Sequence, residues 1–243
     1  SQSGVAITSG SRTFLTNGSI GSSSGGTITS NPVGTADAIA SSFTFGNLSF
    51  DLIQAVFPLV DSTGAIGGSM LTQQYTVANT GTSTENFDLA RYLDGDLFFE
   101  SSGFNDGGGG RLVFADGTEV LFETESGGTS SDDTTFVGIT AEGGTLSDVG
   151  RFAIGPYPQL QDNLITGAVP DGAIFGDGDG DQFVDPGAEY DVTLAFTNAF
   201  SLEPGESTVY TSNTIFGSAA PGEVLTVDPR SELWATLAQT TAD

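Results

Sequence analysis

The chain has 243 residues, with 31 acidic side chains against five basic ones and a formal net charge of -26. The basic residues are all arginines, and histidine, cysteine and lysine are absent. This composition excludes serine or cysteine nucleophiles activated by histidine, histidine-ligated zinc sites and iron-sulfur clusters. We also predict no nucleic-acid partner, because binding to phosphates needs clustered positive charge. No apolar run approaches the roughly 20 residues of a membrane-spanning helix, so we predict no membrane insertion.

Short alternating segments separated by glycine and aspartate predict many β-strands. The clearest is residues 189–196, EYDVTLAF, in which Tyr190, Val192 and Leu194 share one face while Asp191 and Thr193 face solvent. We predict one hairpin across residues 43–79, another that turns at Asp94-Gly-Asp96 into residues 97–99, and a third across residues 111–124, which also turns at Asp-Gly. The glycine-rich GFNDGGGG at residues 103–110 is predicted to be a loop.

These strands, without helical periodicity between them, predict an all-β fold, namely an antiparallel β-sandwich of the Greek-key or jelly-roll type. We assign this single domain to residues 36–243. The Gly/Ser/Thr-rich residues 1–35 are predicted to form an extended arm with brief strands, or a linker. One short helix is expected near the C-terminus, at residues 231–241, where Leu233, Trp234 and Leu237 share a face.

An aspartate-rich segment, IFGDGDGDQFVDPGAEYD at residues 174–191, is the sharpest local signal. Calcium takes about six to eight oxygen ligands, and glycine-spaced aspartates allow a tight loop to turn several carboxylates inward. Carboxylates this close repel one another unless a cation neutralises them. We therefore predict calcium as a cofactor, with a solvated acidic turn as the alternative. The aspartates fall at relative positions one, three, five and nine: Asp177, Asp179, Asp181 and Asp185.

Over about a dozen residues this segment resembles the Asp-x-Asp-x-Asp calcium loops of EF-hands, dockerins and thrombospondin-type repeats. The resemblance implies side-chain ligands at the first three aspartates, the backbone carbonyl of Phe183, and Asp185 either directly or through water. Three features depart from the pattern: Gln182 replaces the turn glycine, Ala188 stands where a bidentate glutamate is expected, and no flanking helices are evident. Glu189, one residue later, is the candidate that closes the ligand shell.

A second candidate site lies around RYLDGD. A β-elimination that cleaves polysaccharide would use tyrosine, arginine and a metal, so we single out a ligand-binding set: Arg91, Tyr92, Asp94 and Asp96. The alternatives are a tyrosine on a sheet face and ordinary hairpin-turn chemistry. Tyr157, between two prolines, is the best exposed aromatic for stacking a sugar ring. Three acids that share one strand face are expected to point to solvent: Glu119, Glu123 and Glu125.

Residues 43–227 resemble, in general style, β-sandwich modules of exported bacterial surface proteins. The patterns that carry this resemblance are QQYTVANTGTSTENFDLARYLDGDL and LAFTNAFSLEPGESTVYTSNTIFG. It implies an extracellular or cell-surface location, loops made rigid by calcium, and a role in scaffolding, adhesion or assembly.

We therefore predict a non-enzymatic structural unit of a bacterial surface in a saline or calcium-rich setting. Strand addition through residues 1–35 would join it into a homo-oligomer or to another surface protein. The alternative function is a carbohydrate-binding module or a polysaccharide-acting enzyme, with a polysaccharide as its partner.

Overall fold

The structure, a computed structural model, describes residues 2–9, 11–16, 26–34, 38–60, 64–95, 97, 106–115, 117–125, 135–144, 151–166, 172–218 and 221–224. The strands in those ranges are β1 (Gln2–Ser9), β2 (Ser11–Thr16), β3 (Gly26–Gly34), β4 (Ala38–Phe45), β5 (Leu48–Val60), β6 (Ile66–Asn79), β7 (Glu85–Asp94), β8 (Asp106–Val113), β9 (Glu119–Thr124), β10 (Phe136–Glu142), β11 (Arg151–Pro156), β12 (Ala173–Ile174), β13 (Tyr190–Leu202) and β14 (Ser207–Gly217). The helices are α1 (Gln159–Thr166) and α2 (Pro221–Val224). The all-β prediction is confirmed.

The described strands form one continuous sheet in the order β2-β1-β7-β13-β8-β9-β10-β14-β6-β5-β4-β3, with β11 beside β13 and β12 beside β11. Among them only β11 and β12 pair in parallel. We call β1, β2, β7 and β11–β13 sheet A, and we call β3–β6, β8–β10 and β14 sheet B. The two sheets join where Tyr190 and Asp191 of β13 pair with Gly107 and Asp106 of β8.

Sheets A and B pack face to face. One cluster of buried side chains brings Ile7 and Phe87 of sheet A against Phe50 and Tyr210 of sheet B. A second cluster lies nearer the join and includes Leu194 and Leu121. Burying each large apolar side chain contributes about 1.5–3 kcal/mol. The antiparallel β-sandwich is thereby confirmed, and its core lies between the two sheets.

A third layer covers the outer face of sheet A. Helix α1 places Leu160 and Leu164 in a buried cluster with small residues of β7, β11 and β13. Thr193 lies on this covered face, is fully buried, and donates a hydrogen bond to the Gly155 carbonyl (2.7 Å). The prediction of a solvent-facing Thr193 was therefore wrong, because α1 was not anticipated, and Asp191 is half-buried.

The hairpins predicted across residues 43–79 and 111–124 are confirmed as β5–β6 and β8–β9. For the hairpin predicted at Asp94-Gly-Asp96, β7 pairs with β1 and β13, and most of the expected second strand lies outside the described residues. The predicted loop at 103–110 was wrong in its second half, because β8 already begins at Asp106. Glycine is needed there since neighbouring atoms lie very close. A Cβ on Gly107 would lie 2.4 Å from the Thr124 carbonyl oxygen, and one on Gly110 would lie 2.4 Å from Cδ1 of Phe183.

The described strands within residues 1–35 pair with strands of the same chain. Strand β1 lies between β2 and β7, and β3 pairs with β4 at the edge of sheet B. Ile7 of β1 is 0% exposed and belongs to the core. The predicted helix at residues 231–241 lies outside the described ranges. Within those ranges, neither helix has the length and apolar character needed to cross a membrane.

Candidate metal-binding loop

Residues 175–189, between β12 and β13, form the predicted aspartate loop. Asp177, Asp179 and Asp185 each contribute one carboxylate oxygen to a group whose members all lie within 4.8 Å of one another. Calcium–oxygen distances of about 2.3–2.6 Å place opposite ligands roughly 5 Å apart, so this spacing suits a cation. The cluster could hold a metal ion.

Backbone amides hold the carboxylates in place. Asp177 accepts hydrogen bonds at Oδ1 from the amides of Gly180 (2.7 Å) and Asp181 (3.1 Å) and at Oδ2 from the amide of Gln182 (3.1 Å). Asp185 Oδ2 accepts from the Gly178 amide (2.9 Å). Such bonds to ionised groups are stronger than neutral ones. The chain is therefore wrapped around Asp177 by contacts that are local in sequence.

Gln182 occupies the turn position at which glycine was expected from the resemblance to known calcium loops. Its φ of +76° lies in the left-handed region, which costs a residue with a Cβ roughly 1–2 kcal/mol. Arg111 offsets this cost through two contacts. Its amide donates to the Gln182 carbonyl (3.0 Å), and its Nη1 donates to Oε1 of Gln182 (3.1 Å). The substitution of glycine is thus accommodated by β8.

Besides its contacts with Arg111, the loop contacts other residues of sheet B. Phe183 forms an isolated antiparallel bridge with Gly110, and the Val184 amide donates to the Gly109 carbonyl (2.8 Å). The Phe183 ring lies 5.8 Å from the ring of Phe122. The loop therefore connects the strands that flank it, both in sheet A, to β8 and β9 of sheet B.

The other predicted ligands are not part of the three-carboxylate group. Asp181 lies outside the three-carboxylate group and accepts a hydrogen bond from the Phe183 amide at Oδ1 (2.9 Å). Ligation by Asp181, by the Phe183 carbonyl and by Glu189 stays a prediction, as does the identity of the metal.

Arg91 and Tyr92, from the second candidate set, extend from opposite faces of β7. Arg91 is 1% exposed and crosses the core to sheet B, where it donates to Ser212 Oγ (3.0 Å) and Thr214 Oγ1 (2.8 Å). Burial lowers the pKa of Arg91, although the nearby Tyr75 and Tyr210 oppose this shift. Arg91 thus bridges the two sheets.

Tyr92 lies under α1, on the outer face of sheet A, in a buried cluster with Leu160 and Leu164. Burial raises the pKa of Tyr92, and the charge of Asp94 and the nearby Tyr157 raise it further. Burial also raises the pKa of Asp94. Tyr157 is 40% exposed, and Asp96 lies outside the described residues. Ligand binding by this set stays a prediction.

Glu123 is a buried acid that sequence reasoning missed. It is 3% exposed and accepts hydrogen bonds from the amides of Gly95 (3.1 Å) and Leu97 (3.4 Å). Burial raises its pKa to about 8, and the charges of Asp94 and Asp191 act in the same direction. The prediction of a solvent-facing side chain was wrong for Glu123. Leu121, on the same strand face, was the available signal that this face is internal.

The other two acids of that strand face differ from Glu123. Glu125 is exposed, as predicted. Glu119 is half-buried in an ion pair with Arg111, whose guanidinium also lies 4.4 Å from the centre of the Phe152 ring. Arg111 therefore links Glu119, Phe152 and the metal-binding loop.

No protein-family model matches the chain, and no curated protein matches it. Solved structures with some likeness include a polysaccharide lyase, at TM-score 0.37 and 11% identity over 88% of this chain and 25% of that one. Another is described as a kojibiose phosphorylase from the human microbiome, at TM-score 0.34 and 8% identity over 85% and 21% of the two chains. A third is described as an aldose 1-epimerase from Escherichia coli, at TM-score 0.27 and 13% identity over 79% and 67%. The chain thus spans a quarter of the lyase, and similarity at this level assigns no function.

Proposed function

We propose that this protein is a calcium-stabilised, non-enzymatic β-sandwich unit of an extracellular or cell-surface assembly. One observation carries the proposal. Three carboxylate oxygens meet within 4.8 Å in a loop whose own amides hold all three carboxylates by five hydrogen bonds and fold the chain around them. An oxygen cluster of this size suits a cation.

The donor atoms favour calcium among the common metals. All are carboxylate oxygens, which suit hard cations, whereas zinc and copper prefer sites that include nitrogen or sulfur. Magnesium demands near-ideal octahedral geometry and keeps much of its water, while calcium accepts irregular oxygen shells. The net charge of -26 further favours a divalent cation as counter-ion.

Calcium in this loop would stabilise the sandwich through the loop's contacts. The loop joins β12 and β13 of sheet A and is hydrogen-bonded to β8 of sheet B through Gly109 and Arg111. A ligand that binds only the folded state adds about 2.7 kcal/mol at a free concentration of one hundred times Kd. The metal would therefore hold sheet A and sheet B together next to the place where β13 pairs with β8.

Calcium is expected to raise the melting temperature by roughly 5–10 °C, because a domain of this size gains about 2–4 °C per kcal/mol. Differential scanning calorimetry with calcium and with excess chelator measures the shift, and titration calorimetry measures uptake. Magnesium chloride at equal ionic strength controls for charge screening. A melting temperature indifferent to chelator, together with no heat of binding, would contradict the proposal.

Self-assembly is the second part of the proposal. Strand β1 pairs with β7 over seven registered positions, and the hairpin it forms with β2 is joined to β3 by NGSIGSSSG at residues 17–25. The same pairing made with β7 of a second copy would keep the native contacts, which makes strand exchange inexpensive in free energy.

Paired cysteines would reveal the exchange, since the chain has none of its own. Thr8 and Asp88 are registered partners across β1 and β7, at a Cα separation of about 4.5–5.5 Å that suits a disulfide. Oxidising the concentrated Thr8→Cys/Asp88→Cys variant should give disulfide-linked oligomers on non-reducing gels. The Asp51→Cys/Thr76→Cys pair, across the β5–β6 hairpin, should give monomers only. Monomers from both variants would refute strand exchange.

A further inference from the structure

A pocket of about 280 Å³ lies between α1 and the outer face of β11 and β12. Small residues create it, because Ala153, Gly155 and Ala173 leave the space beneath the helix unfilled. A Cβ added to Gly155 would meet only the Cβ of Leu160, at 3.6 Å, which is an ordinary contact. There is therefore room for a Cβ at Gly155, so close packing does not require glycine at this position.

The residues that line the pocket are mostly apolar, and a few carry neutral polar side chains. None of the lining residues is charged, and Gln159 and Asn163 of α1 contribute side-chain amides one helical turn apart. Amides both donate and accept hydrogen bonds. Small-molecule sites typically combine such sparse polar groups with apolar walls.

An aromatic ring is held at the rim of the pocket. Phe175 lines the pocket and is 57% exposed. Its ring meets the ring of Tyr190 edge to face at 5.2 Å, and the Tyr190 hydroxyl donates to the Phe175 carbonyl (2.8 Å). The first contact holds the ring and the second holds the backbone of Phe175, while part of the ring stays open to solvent. An exposed, immobilised ring is suited to stacking against the apolar face of a ligand.

We infer that this pocket binds one neutral pyranose ring, such as the terminal sugar of an uncharged glycan. The C–H face of the sugar stacks on Phe175, and its hydroxyls bond to Gln159 and Asn163. Anionic sugars are excluded by charge, because the whole chain carries a net charge of -26. The inference is independent of calcium ligation and of strand exchange.

Saturation-transfer NMR with methyl glucoside, methyl galactoside, methyl mannoside and methyl glucuronide tests this site in the full chain. We expect millimolar binding of at least one neutral glycoside and none of the glucuronide. Gly155→Val, which fills the pocket, should weaken that binding at least tenfold with an unchanged or higher melting temperature. Asn163→Ala, on the partly exposed helix surface, should weaken glycoside binding severalfold. This second variant keeps the test valid if Gly155→Val fails to fold.

The site would be refuted by any of three results. One is the absence of binding to every neutral glycoside, and another is equal binding of the glucuronide. The third is binding that neither Gly155→Val nor Asn163→Ala reduces. Because calcium uptake is measured separately, failure here leaves the metal-binding loop untouched.

Discussion

Replacing Asp177 by asparagine is expected to abolish the calcium-dependent rise in melting temperature and to weaken calcium binding more than a hundredfold. Asp177 is one of the three clustered carboxylates and also accepts three backbone amide bonds. An asparagine supplies one neutral oxygen and turns an NH₂ group toward a backbone amide, so both the charge and the loop geometry are lost. Titration calorimetry and thermal unfolding with and without calcium measure the effect.

Two further variants separate the causes. Asp179→Asn removes a clustered carboxylate whose only described amide bond comes from Asp181 (3.1 Å), so it should lower calcium affinity while leaving the calcium-free protein as stable as before. Asp162→Asn removes an exposed acid of α1 and should change neither quantity. Calcium binding by Asp177→Asn at the parent's affinity would show that the cluster is not the site.

Glu123→Gln is expected to flatten the fall in stability with rising pH, a difference between pH 5 and pH 9 of on the order of 2–4 kcal/mol. The pKa of Glu123 is about 8 in the folded state, against an ordinary value of 4.5. Below about pH 4.5 the carboxyl is protonated in both states. Between about pH 4.5 and 8 the unfolded chain ionises while the folded chain keeps its proton, so stability falls as pH rises. Glutamine stays neutral and avoids that loss.

Urea unfolding at pH 5, 7 and 9, in chelator so that the metal-binding loop does not contribute, measures this difference. Glu125→Gln, at an exposed position two residues further along the chain, is the matched control and should follow the parent. Burial also raises the pKa of Asp94. The stability of Glu123→Gln should therefore still fall as pH rises, but less steeply than that of the parent. Parallel pH profiles for the parent and Glu123→Gln would contradict the assignment of a buried acid.

Local patterns predicted the strands and the aspartate loop because the contacts that define them lie close in sequence. The β8–β9 hairpin follows from alternation around a glycine turn, and Gly117 has the positive φ, +88°, that such a turn needs. The hydrogen bonds to Asp177 come from residues three to five positions later. Helix α1 had a usable signal that was missed, namely Leu160 and Leu164 at helical spacing directly after Pro158.

By itself, the sequence determined the all-β class, the acidic character and the cluster of aspartates, because these depend on composition and on short-range geometry. Only the tertiary structure decided which side chains are internal. Arg91 finds Ser212 and Thr214 more than 120 positions away, and Glu123 meets the amides of Gly95 and Leu97 across the join between the sheets. Strand periodicity separates two faces but does not say what covers each one. That depends on the packing of sheet B and of α1 against sheet A.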